Sequence, residues 1–175
     1  MLKSLVTITG KRGHAKTTAA EALMREGYRH INFADPVRAI AATAYGLTLE
    51  EMTDPVLKEL PLRRWPQRSP REILQRVGTE MFRHYLDETW TQAFERACEG
   101  YSHVVCSDLR FLNEAATVRR LGGTVIRVVN PRKSSADAAS QHVSELEMDQ
   151  ISVDWTIYNE QTVERLQQAV VDIVL

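Results

Sequence analysis

The sequence predicts an α/β fold in which a five-stranded parallel sheet carries helices on both faces. Five short β-rich runs alternate with segments of helical periodicity, which is typical of parallel strands joined by crossover helices. Three of these runs, LVTIT, VVC and VIRVV, are almost continuously apolar, as buried parallel strands are. A glycine-rich loop joins the first run directly to a helical segment. These three observations together predict a three-layer sandwich.

The predicted strands and helices follow one another in a regular order. Strands are expected at residues 5–9, 30–34, 103–107, 124–129 and 155–158, and helices at 16–26, 37–45, 69–85, 87–99, 112–121 and 159–174. The helix at 69–85 is the best specified, because Ser69 is a predicted N-cap and Pro70 suits the first helical position. Its predicted apolar face consists of Ile73, Leu74, Val77, Met81 and Tyr85.

Composition excludes several classes of protein. The 175 residues suit one domain, and a net charge of -1 does not favour a nucleic-acid or membrane-surface binder. No apolar run approaches the roughly 20 residues of a membrane span, and the N-terminus is interpreted as a strand and not as a signal peptide. Cys98 and Cys106 are interpreted as buried thiols of a cytoplasmic protein. The histidines form no metal-binding pattern.

The loop after the first predicted strand matches the phosphate-loop pattern G-x-x-x-x-G-K-[ST], and the fold is therefore predicted to be of the P-loop NTPase type. Backbone N–H groups of such a loop, together with the positive end of the following helix dipole, bind nucleotide phosphates. Lys16 is expected to bridge the β- and γ-phosphates, and the Thr17 hydroxyl to bind Mg²⁺. Ala15 stands where the pattern has glycine. The predicted ATP-binding residues are Gly10, Lys11, Arg12, Gly13, His14, Ala15, Lys16, Thr17 and Thr18. An ordinary strand–turn–helix without a ligand is the alternative.

Charged residues follow two other predicted strands, at the edge where ligands of parallel sheets bind. Asp108 and Arg110 come after the third strand, and they are candidates for the magnesium-bound water, the acceptor substrate and its phosphate. Their alternatives are a helix N-cap for Asp108 and a surface salt bridge for Arg110. Asp35 and Arg38 come after the second strand, with Arg38 a candidate for an acceptor phosphate and Asp35 alternatively an N-cap.

Further candidates lie in the helix at 69–85 and in two polar excursions from the sheet, at 47–68 and 130–141. Gln75, Thr79 and Arg83 recur every four residues opposite most of the apolar stripe, and Gly78 beside them is expected to let a ring or ribose approach. A solvated face is the alternative. The basic cluster of Arg63, Arg64 and Arg68, close to Trp65, is interpreted as a phosphate-binding flap, and a solvated face is again the alternative. Arg132 is the predicted lid cation over the transferring phosphoryl group, and a solvated loop is its alternative.

The motifs taken together resemble the phage-type deoxynucleoside monophosphate kinases, within the wider group of NMP-kinase-like P-loop proteins. The resemblance covers most of the chain and is carried by GKRGHAKTT, FADPVR, SPREILQRVGTEMFR followed by Trp90, SDLRFLNEAATVRRLGG, VNPR, HVSE and DWTIYN. The LQxxGTExxR…W stretch is much narrower in its distribution than the phosphate loop.

This resemblance implies transfer of phosphate from ATP·Mg²⁺ to a deoxynucleoside monophosphate by one kinase domain over residues 1–175. It implies an acceptor-binding insertion at about 47–100 and a lid at about 130–145. Arg38, Arg83, Asp108 and Arg110 would surround the monophosphate and its sugar, and Gln75 and Thr79 would face the base. The expected partners are small nucleotides, with no nucleic acid and no membrane. The expected protein is a monomer or homodimer of the cytoplasm, or of the host cytoplasm if phage-encoded.

Three other functions stay open on the residues alone. The first is a P-loop kinase for another small phosphorylated acceptor. The second is a nucleotide-binding module without transferase activity. The third is a nucleic-acid end kinase, whose binding would fall steeply with salt.

Overall fold

A computed structural model describes residues 2–132 and 143–175 and contains a five-stranded, entirely parallel sheet. The strands are β1 (Ser4–Thr9), β2 (Arg29–His30), β3 (His103–Cys106), β4 (Thr124–Val129) and β5 (Trp155–Tyr158), in the order β2-β3-β1-β4-β5. Thr7 of β1 pairs with Cys106 of β3, and Thr9 pairs with Arg127 of β4. The carboxyl ends of these strands therefore lie at one edge of the sheet, as predicted.

The helices agree with the prediction in most places. They are α1 (Lys16–Arg25), α2 (Asp35–Tyr45), α3 (Leu49–Thr53), α4 (Pro70–Gln75), α5 (Thr89–Cys98), α6 (Leu112–Arg120), α7 (Val143–Gln150) and α8 (Val163–Val174). A 3-10 turn (Leu57–Glu59) precedes α4 and a π-helix (Arg76–Arg83) follows it. The excursion at 47–68 therefore contains α3 and the 3-10 turn. Within the described residues, no helix has both the length and the apolarity needed to cross a bilayer.

β2 is shorter than the predicted strand at 30–34. Beyond His30, a backbone hydrogen bond between this segment and β3 runs from Ile31 N–H to the Val105 carbonyl, at 3.0 Å. At the next residue, a side chain takes the place of the backbone carbonyl. The Oδ1 atom of the buried Asn32 accepts from Ser107 N–H at 2.9 Å, in place of a backbone carbonyl. The strand therefore ends at His30, and α2 begins soon afterwards at Asp35.

The chain divides into two compact units. The first comprises residues 1–32 and 94–175 and contains the whole sheet, and the second comprises residues 33–93. In the first unit, Val6, Ile8 and Ile126 face a core formed with α1 and α8, which contribute Leu23 and Leu166 among others. On the other face of the sheet, α6 packs against β4. Helices therefore cover both faces.

The second unit has its own core, which is built on α2 and the segment from α4 to Trp90. Its buried members are Val37, Ala41, Leu47, Met52, Leu62, Ile73, Val77 and Trp90. Ser69 caps α4 as predicted, because its hydroxyl accepts from Glu72 N–H at 3.2 Å. Pro70 occupies the first helical position, also as predicted.

The predicted apolar face of the 69–85 helix is correct only in its first half. Ile73 and Val77 are buried, whereas Met81 is 54% exposed and Tyr85 is 81% exposed. The cause is the π-helix, in which hydrogen bonds span five residues, as from His84 N–H to the Thr79 carbonyl at 3.1 Å. The next apolar contact after Val77 is Phe82, five residues on, which packs against the second core.

Both cysteines are buried free thiols, as predicted. Burial raises the pKa of Cys98 to about 11, with a smaller contribution from the nearby Glu95 carboxylate. Burial also raises the pKa of Cys106 well above its ordinary value, and the neighbouring Asp108 carboxylate acts in the same direction. Both side chains are therefore neutral thiols near pH 7.

Candidate functional site

The glycine-rich loop between β1 and α1 has an irregular backbone that begins and ends in left-handed conformations. Gly10 has φ 139° and Gly13 has φ 76°, two values that L side chains rarely adopt. Ala15 has φ 67° and ψ 35°, so the residue that replaces the pattern's glycine nonetheless takes a glycine-like conformation. Helix α1 begins at the next residue, Lys16, with no side-chain cap on its first turn. No side chain therefore caps the N-terminal end of α1, which is the end of a helix where anions bind.

The loop lies against the carboxyl end of β4. A Cβ atom on Gly10 would stand 2.3 Å from the Val128 carbonyl oxygen, so no side chain fits at this position. The same oxygen accepts a hydrogen bond from Nδ1–H of His14 at 3.2 Å, and the His14 side chain is buried. Two residues of the loop therefore contact one carbonyl of β4.

The lysines of the loop have defined partners. The Lys16 ammonium donates to the Lys11 carbonyl at 2.9 Å, which holds its charge over the loop. The Lys11 ammonium lies 3.3 Å from the Asp149 carboxylate of α7. Thr17 is exposed at the start of α1, and the Thr18 carbonyl accepts from the Gln167 amide of α8 at 3.0 Å.

A buried hydroxyl connects β1 to the segment after β3. The Thr9 hydroxyl, fully buried, donates to the Leu109 carbonyl at 2.9 Å. Because Thr9 directly precedes Gly10 and Leu109 stands between Asp108 and Arg110, this bond holds both predicted site residues beside the phosphate loop. The sequence singled out neither Thr9 nor its bond, although a threonine inside a buried apolar strand is an available signal.

Asp108 and Arg110 are both half-buried. The Cys106 thiol donates to Asp108 Oδ1 at 3.3 Å, and Arg110 N–H donates to the Glu114 carboxylate at 2.9 Å. The alternative role of Asp108 as an N-cap is wrong, because α6 begins only at Leu112 and its N-cap position is Phe111.

Arg132, the predicted lid cation, is exposed in a turn after β4, and its N–H donates to Asn130 Oδ1 at 3.0 Å. Most of the predicted lid, residues 133–142, lies outside the described residues. The structure therefore describes only the entry into this segment.

A groove that the sequence did not single out lies at the carboxyl end of β5. It has a volume of about 260 Å³, and its walls include Tyr158, Asn159, Thr162 and Arg165. The polar run between β5 and α8 is the signal that would have indicated it. In the sheet order, β5 is two strands from β1, or about 10 Å across the sheet.

In the second unit, Arg38 and Asp35 form an ion pair in the first turn of α2. Arg38 Nη2 lies 2.7 Å from Asp35 Oδ1, and the Arg38 side chain is 25% exposed. The alternative role of Asp35 as an N-cap is wrong by one residue, because the helix already includes Asp35 and its N-cap is Ala34.

Gln75, Thr79 and Arg83 lie at the end of α4 and along the π-helix, and Gln75 and Thr79 are half-buried. The Arg83 side chain is only 9% exposed, although it is charged, and its Nη1 lies 3.5 Å from Asp87. A Cβ atom on Gly78 would lie 3.6 Å from the Val37 side chain, in ordinary contact, and the expected approach of a ring or ribose to this residue stays a prediction. The Gly78 carbonyl accepts from the Trp90 indole at 2.6 Å.

The predicted flap at 63–68 has a structural cation at its centre. The Arg64 guanidinium donates to both carboxylate oxygens of Glu51, at 2.7 and 2.8 Å, and to the Gly46 carbonyl at 2.8 Å. The hydrogen bond from Arg64 lowers the pKa of Glu51 to about 2, and Thr48 N–H contributes in the same direction. Arg64 therefore stabilises the second unit, and the prediction of phosphate binding rests on the other cations of the cluster.

The oxygen atoms near the loop suit a magnesium ion shared with a substrate. Mg²⁺ prefers hydroxyl and carboxylate oxygens and often takes only one or two from the protein, the rest coming from water and phosphates. Thr17 supplies an exposed hydroxyl and Asp108 a carboxylate in the first unit. Among the described residues, no group of three or more His, Cys, Asp or Glu side chains could hold a metal on its own. The residues present fit a metal brought with a nucleotide.

Comparison with known proteins identifies relatives of the whole chain. Residues 64–170 match the family model described as deoxynucleotide monophosphate kinase. A protein of Acanthamoeba polyphaga mimivirus, named "Putative deoxynucleotide monophosphate kinase", is 33% identical over 187 residues, covering 97% of this chain and 95% of that protein.

Several solved structures with the same fold carry the name of a kinase. A dephospho-CoA kinase from Campylobacter jejuni superposes with a TM-score of 0.54 at 16% identity, over 98% of this chain and 96% of that one. A shikimate kinase from Aquifex aeolicus superposes with a TM-score of 0.54 at 11% identity, over 97% and 94%. At these identities the similarity shows the α/β kinase fold alone.

Proposed function

This chain belongs to the deoxynucleotide monophosphate kinase family, and on that premise we propose that it transfers the γ-phosphoryl group of ATP to the 5′-phosphate of a deoxynucleoside monophosphate. The products are a deoxynucleoside diphosphate and ADP. The observation that carries the proposal is the loop from Gly10 to Lys16, which ends in a left-handed residue directly before an uncapped helix N-terminus. A backbone of this kind presents N–H groups to a polyphosphate.

The donor nucleotide is assigned to the first unit. Residues 10–18 bind the phosphates, with Lys16 moving from the Lys11 carbonyl to the β- and γ-phosphates. The groove at the end of β5 is a candidate for the base and ribose, because it opens at the carboxyl edge of the same sheet. Thr17 would hold Mg²⁺ and Asp108 a water bound to that ion, and the ion would supply charge neutralisation on the transferring group.

Candidate residues for the acceptor are described for each unit by itself. Asp108 and Arg110 are held beside the phosphate loop by the Thr9 hydroxyl, and they are candidates for the acceptor phosphate and sugar. Arg38 and Arg83 are candidate phosphate ligands in the second unit, where Arg83 already carries a nearly buried charge. Gln75 and Thr79 are candidates for the base.

The chemistry proposed is a direct in-line transfer without a phosphoenzyme. The attacking oxygen is already an anion, so positioning and neutralisation of charge supply most of the catalysis and no strong general base is needed. Lys16 and Arg110 would neutralise the charge that develops on the transferring group, and Arg132 would add a third cation from the lid. Water is excluded when both substrates are bound, which limits hydrolysis of ATP.

A Lys16→Ala variant tests this assignment. We expect acceptor-dependent ADP release to fall by about 100-fold or more, since one cation is removed from the transferring phosphoryl group. The assay couples ADP release to a panel of deoxynucleoside monophosphates, ribonucleoside monophosphates and non-nucleotide phosphates, and thermal unfolding checks the fold.

Lys3→Ala is the matched control, because it removes an exposed lysine of the same unit at the other end of β1. It should keep full turnover. Near-normal turnover by Lys16→Ala would contradict the assignment of the loop. Preference for a non-nucleotide acceptor would favour the rival small-molecule kinase, and ADP release that ignores every acceptor would favour a nucleotide-binding module.

A further inference from the structure

His14 is buried at 7% exposure, although it lies in a loop at the edge of the sheet where neighbouring residues Arg12 and Gly13 are exposed. Its Nδ1 atom is 3.2 Å from the Val128 carbonyl oxygen. Because a carbonyl can only accept, Nδ1 carries the hydrogen and donates. The ring thus joins the middle of the loop to the end of β4.

The residue after His14 is conformationally strained. Ala15 has φ 67°, a value that glycine adopts freely and that costs an alanine free energy because of its Cβ atom. Strained residues of this kind persist only where surrounding contacts determine the backbone. On its C-terminal side, Ala15 is held by α1, since its carbonyl accepts from Ala19 N–H at 2.9 Å.

On its N-terminal side, Ala15 follows His14, whose backbone N–H donates to the Lys11 carbonyl at 3.2 Å within the loop, whereas its side chain connects the loop to β4. The Val128 carbonyl that this side chain binds also limits Gly10, where a Cβ atom would meet that oxygen at 2.3 Å. Val128 itself is fixed in the sheet, where it pairs with Ile157 of β5. The Val128 carbonyl therefore fixes the loop at two places, at Gly10 and at His14, which directly precedes the strained Ala15.

We propose that His14 is a positioning residue that holds the phosphate loop in its binding conformation, and that this chain needs it because alanine occupies position 15. The inference rests on the proposed function in one respect, namely that the loop binds the phosphates of ATP. Without the His14 bond, Ala15 relaxes towards a negative φ and the N–H groups of the loop lose their common direction. A glycine at position 15 removes the tendency to relax.

The proposal predicts a coupling between two substitutions. His14→Ala should raise the dissociation constant for ATP by about tenfold, and the same substitution in an Ala15→Gly background should raise it by about threefold or less. His14→Asn should behave nearly as the parent protein, because its amide nitrogen can replace Nδ1 as donor. His14→Leu fills the space without a donor and should behave as His14→Ala does.

The experiment is a double-mutant cycle on the full chain, measured by calorimetric titration with ATP and by denaturant unfolding without nucleotide. Arg119→Ala, which removes a surface ion pair with Asp154, is the control substitution and should show no coupling with Ala15→Gly in either measurement. Coupling of His14 with Ala15 in both measurements supports the proposal.

The proposal would be overturned if His14→Ala weakened ATP binding by the same factor in the parent chain and in the Ala15→Gly background. It would also be overturned if His14→Leu bound ATP as tightly as His14→Asn. The unfolding measurement does not depend on a nucleotide. If Lys16→Ala were to leave turnover intact, the assignment of function would fail while coupling in unfolding still tested the role of His14.

Discussion

A Gly10→Ala substitution tests whether the close approach of the loop to β4 is a fixed feature of the fold. The added Cβ atom would stand 2.3 Å from the Val128 carbonyl oxygen and 3.3 Å from its carbonyl carbon. Real Cβ contacts essentially never fall below 3.0 Å, so either the loop or β4 must move. β4 is paired on both sides, with β1 and with β5, and its displacement would break ladder hydrogen bonds.

The magnitude follows from a comparison with Gly27, which has φ 87° and open space around its Cβ position. Gly27→Ala therefore measures backbone strain alone, which amounts to about 1 kcal/mol after the gain from a stiffer unfolded chain. Gly10→Ala adds overpacking of about 1–3 kcal/mol to a comparable strain. We expect a total loss of about 2–4 kcal/mol for Gly10→Ala.

Thermal unfolding in the absence of nucleotide measures both losses. At about 2–4 °C per kcal/mol for a chain of this size, Gly27→Ala should lower Tm by about 2–4 °C and Gly10→Ala by about 4–16 °C. Calorimetric titration with ADP should show weaker binding only for Gly10→Ala. Equal Tm values for the two variants, with unchanged ADP affinity, would refute the close approach as described.

Two further predictions concern polar contacts of buried and paired side chains. Thr9→Val should lower kcat/KM for the acceptor by a larger factor than it raises KM for ATP. The reason is that the Leu109 carbonyl loses its hydrogen-bond donor, so that the neighbouring Asp108 is no longer held in place. Thr7→Val, on the same face of the strand, is the control and should leave both constants unchanged. Loss of acceptor kinetics in both variants would mean a general effect of β1. The ion pair with Arg64 lowers the pKa of Glu51 to about 2 in the folded protein. Its contribution to the free energy of unfolding is therefore fully present above pH 4.5, the ordinary pKa of this side chain, and is lost as the pH falls from 4.5 towards 2. Over that pH range, the free energy of unfolding of the parent protein should fall by about 1 kcal/mol more than that of Glu51→Gln. Denaturant unfolding at a series of acid pH values measures this difference. If the two proteins lost stability in parallel, the ion pair with Arg64 would make no such contribution.

Local features of the fold could be predicted because short stretches of sequence determine them. The alternation of apolar runs gave the positions of β1, β4 and β5, and Ser69 with Pro70 marked the start of α4. Gly27 and Gly46 directly follow the predicted helices at 16–26 and 37–45, and both take the positive φ that is common in a glycine after a helix. In each of these cases, neighbouring residues within one turn or strand carry the whole signal.

Features that depend on distant residues could not be predicted from the sequence. The strand β2 ends early because the Asn32 side chain binds Ser107 N–H, 75 positions away. The bond from Thr9 to Leu109 joins residues 100 positions apart. The predicted apolar face of residues 69–85 was based on the 3.6-residue repeat of an α-helix. That repeat does not hold from Arg76 to Arg83, where the backbone forms a π-helix. The candidate residues of the phosphate loop were within reach because the motif is continuous, whereas the groove at β5 is formed by two elements.

The burial of both thiols makes the chain suited to site-specific labelling. Cys98 and Cys106 are shielded from reagents and protonated near neutral pH, so a maleimide should react with a newly introduced surface cysteine and leave these two untouched. A Lys3→Cys and Glu50→Cys pair places one such position in each unit without removing any native residue of the core. Energy transfer between fluorophores at these two positions would report the distance between the units with and without substrates, because the native cysteines would carry no label.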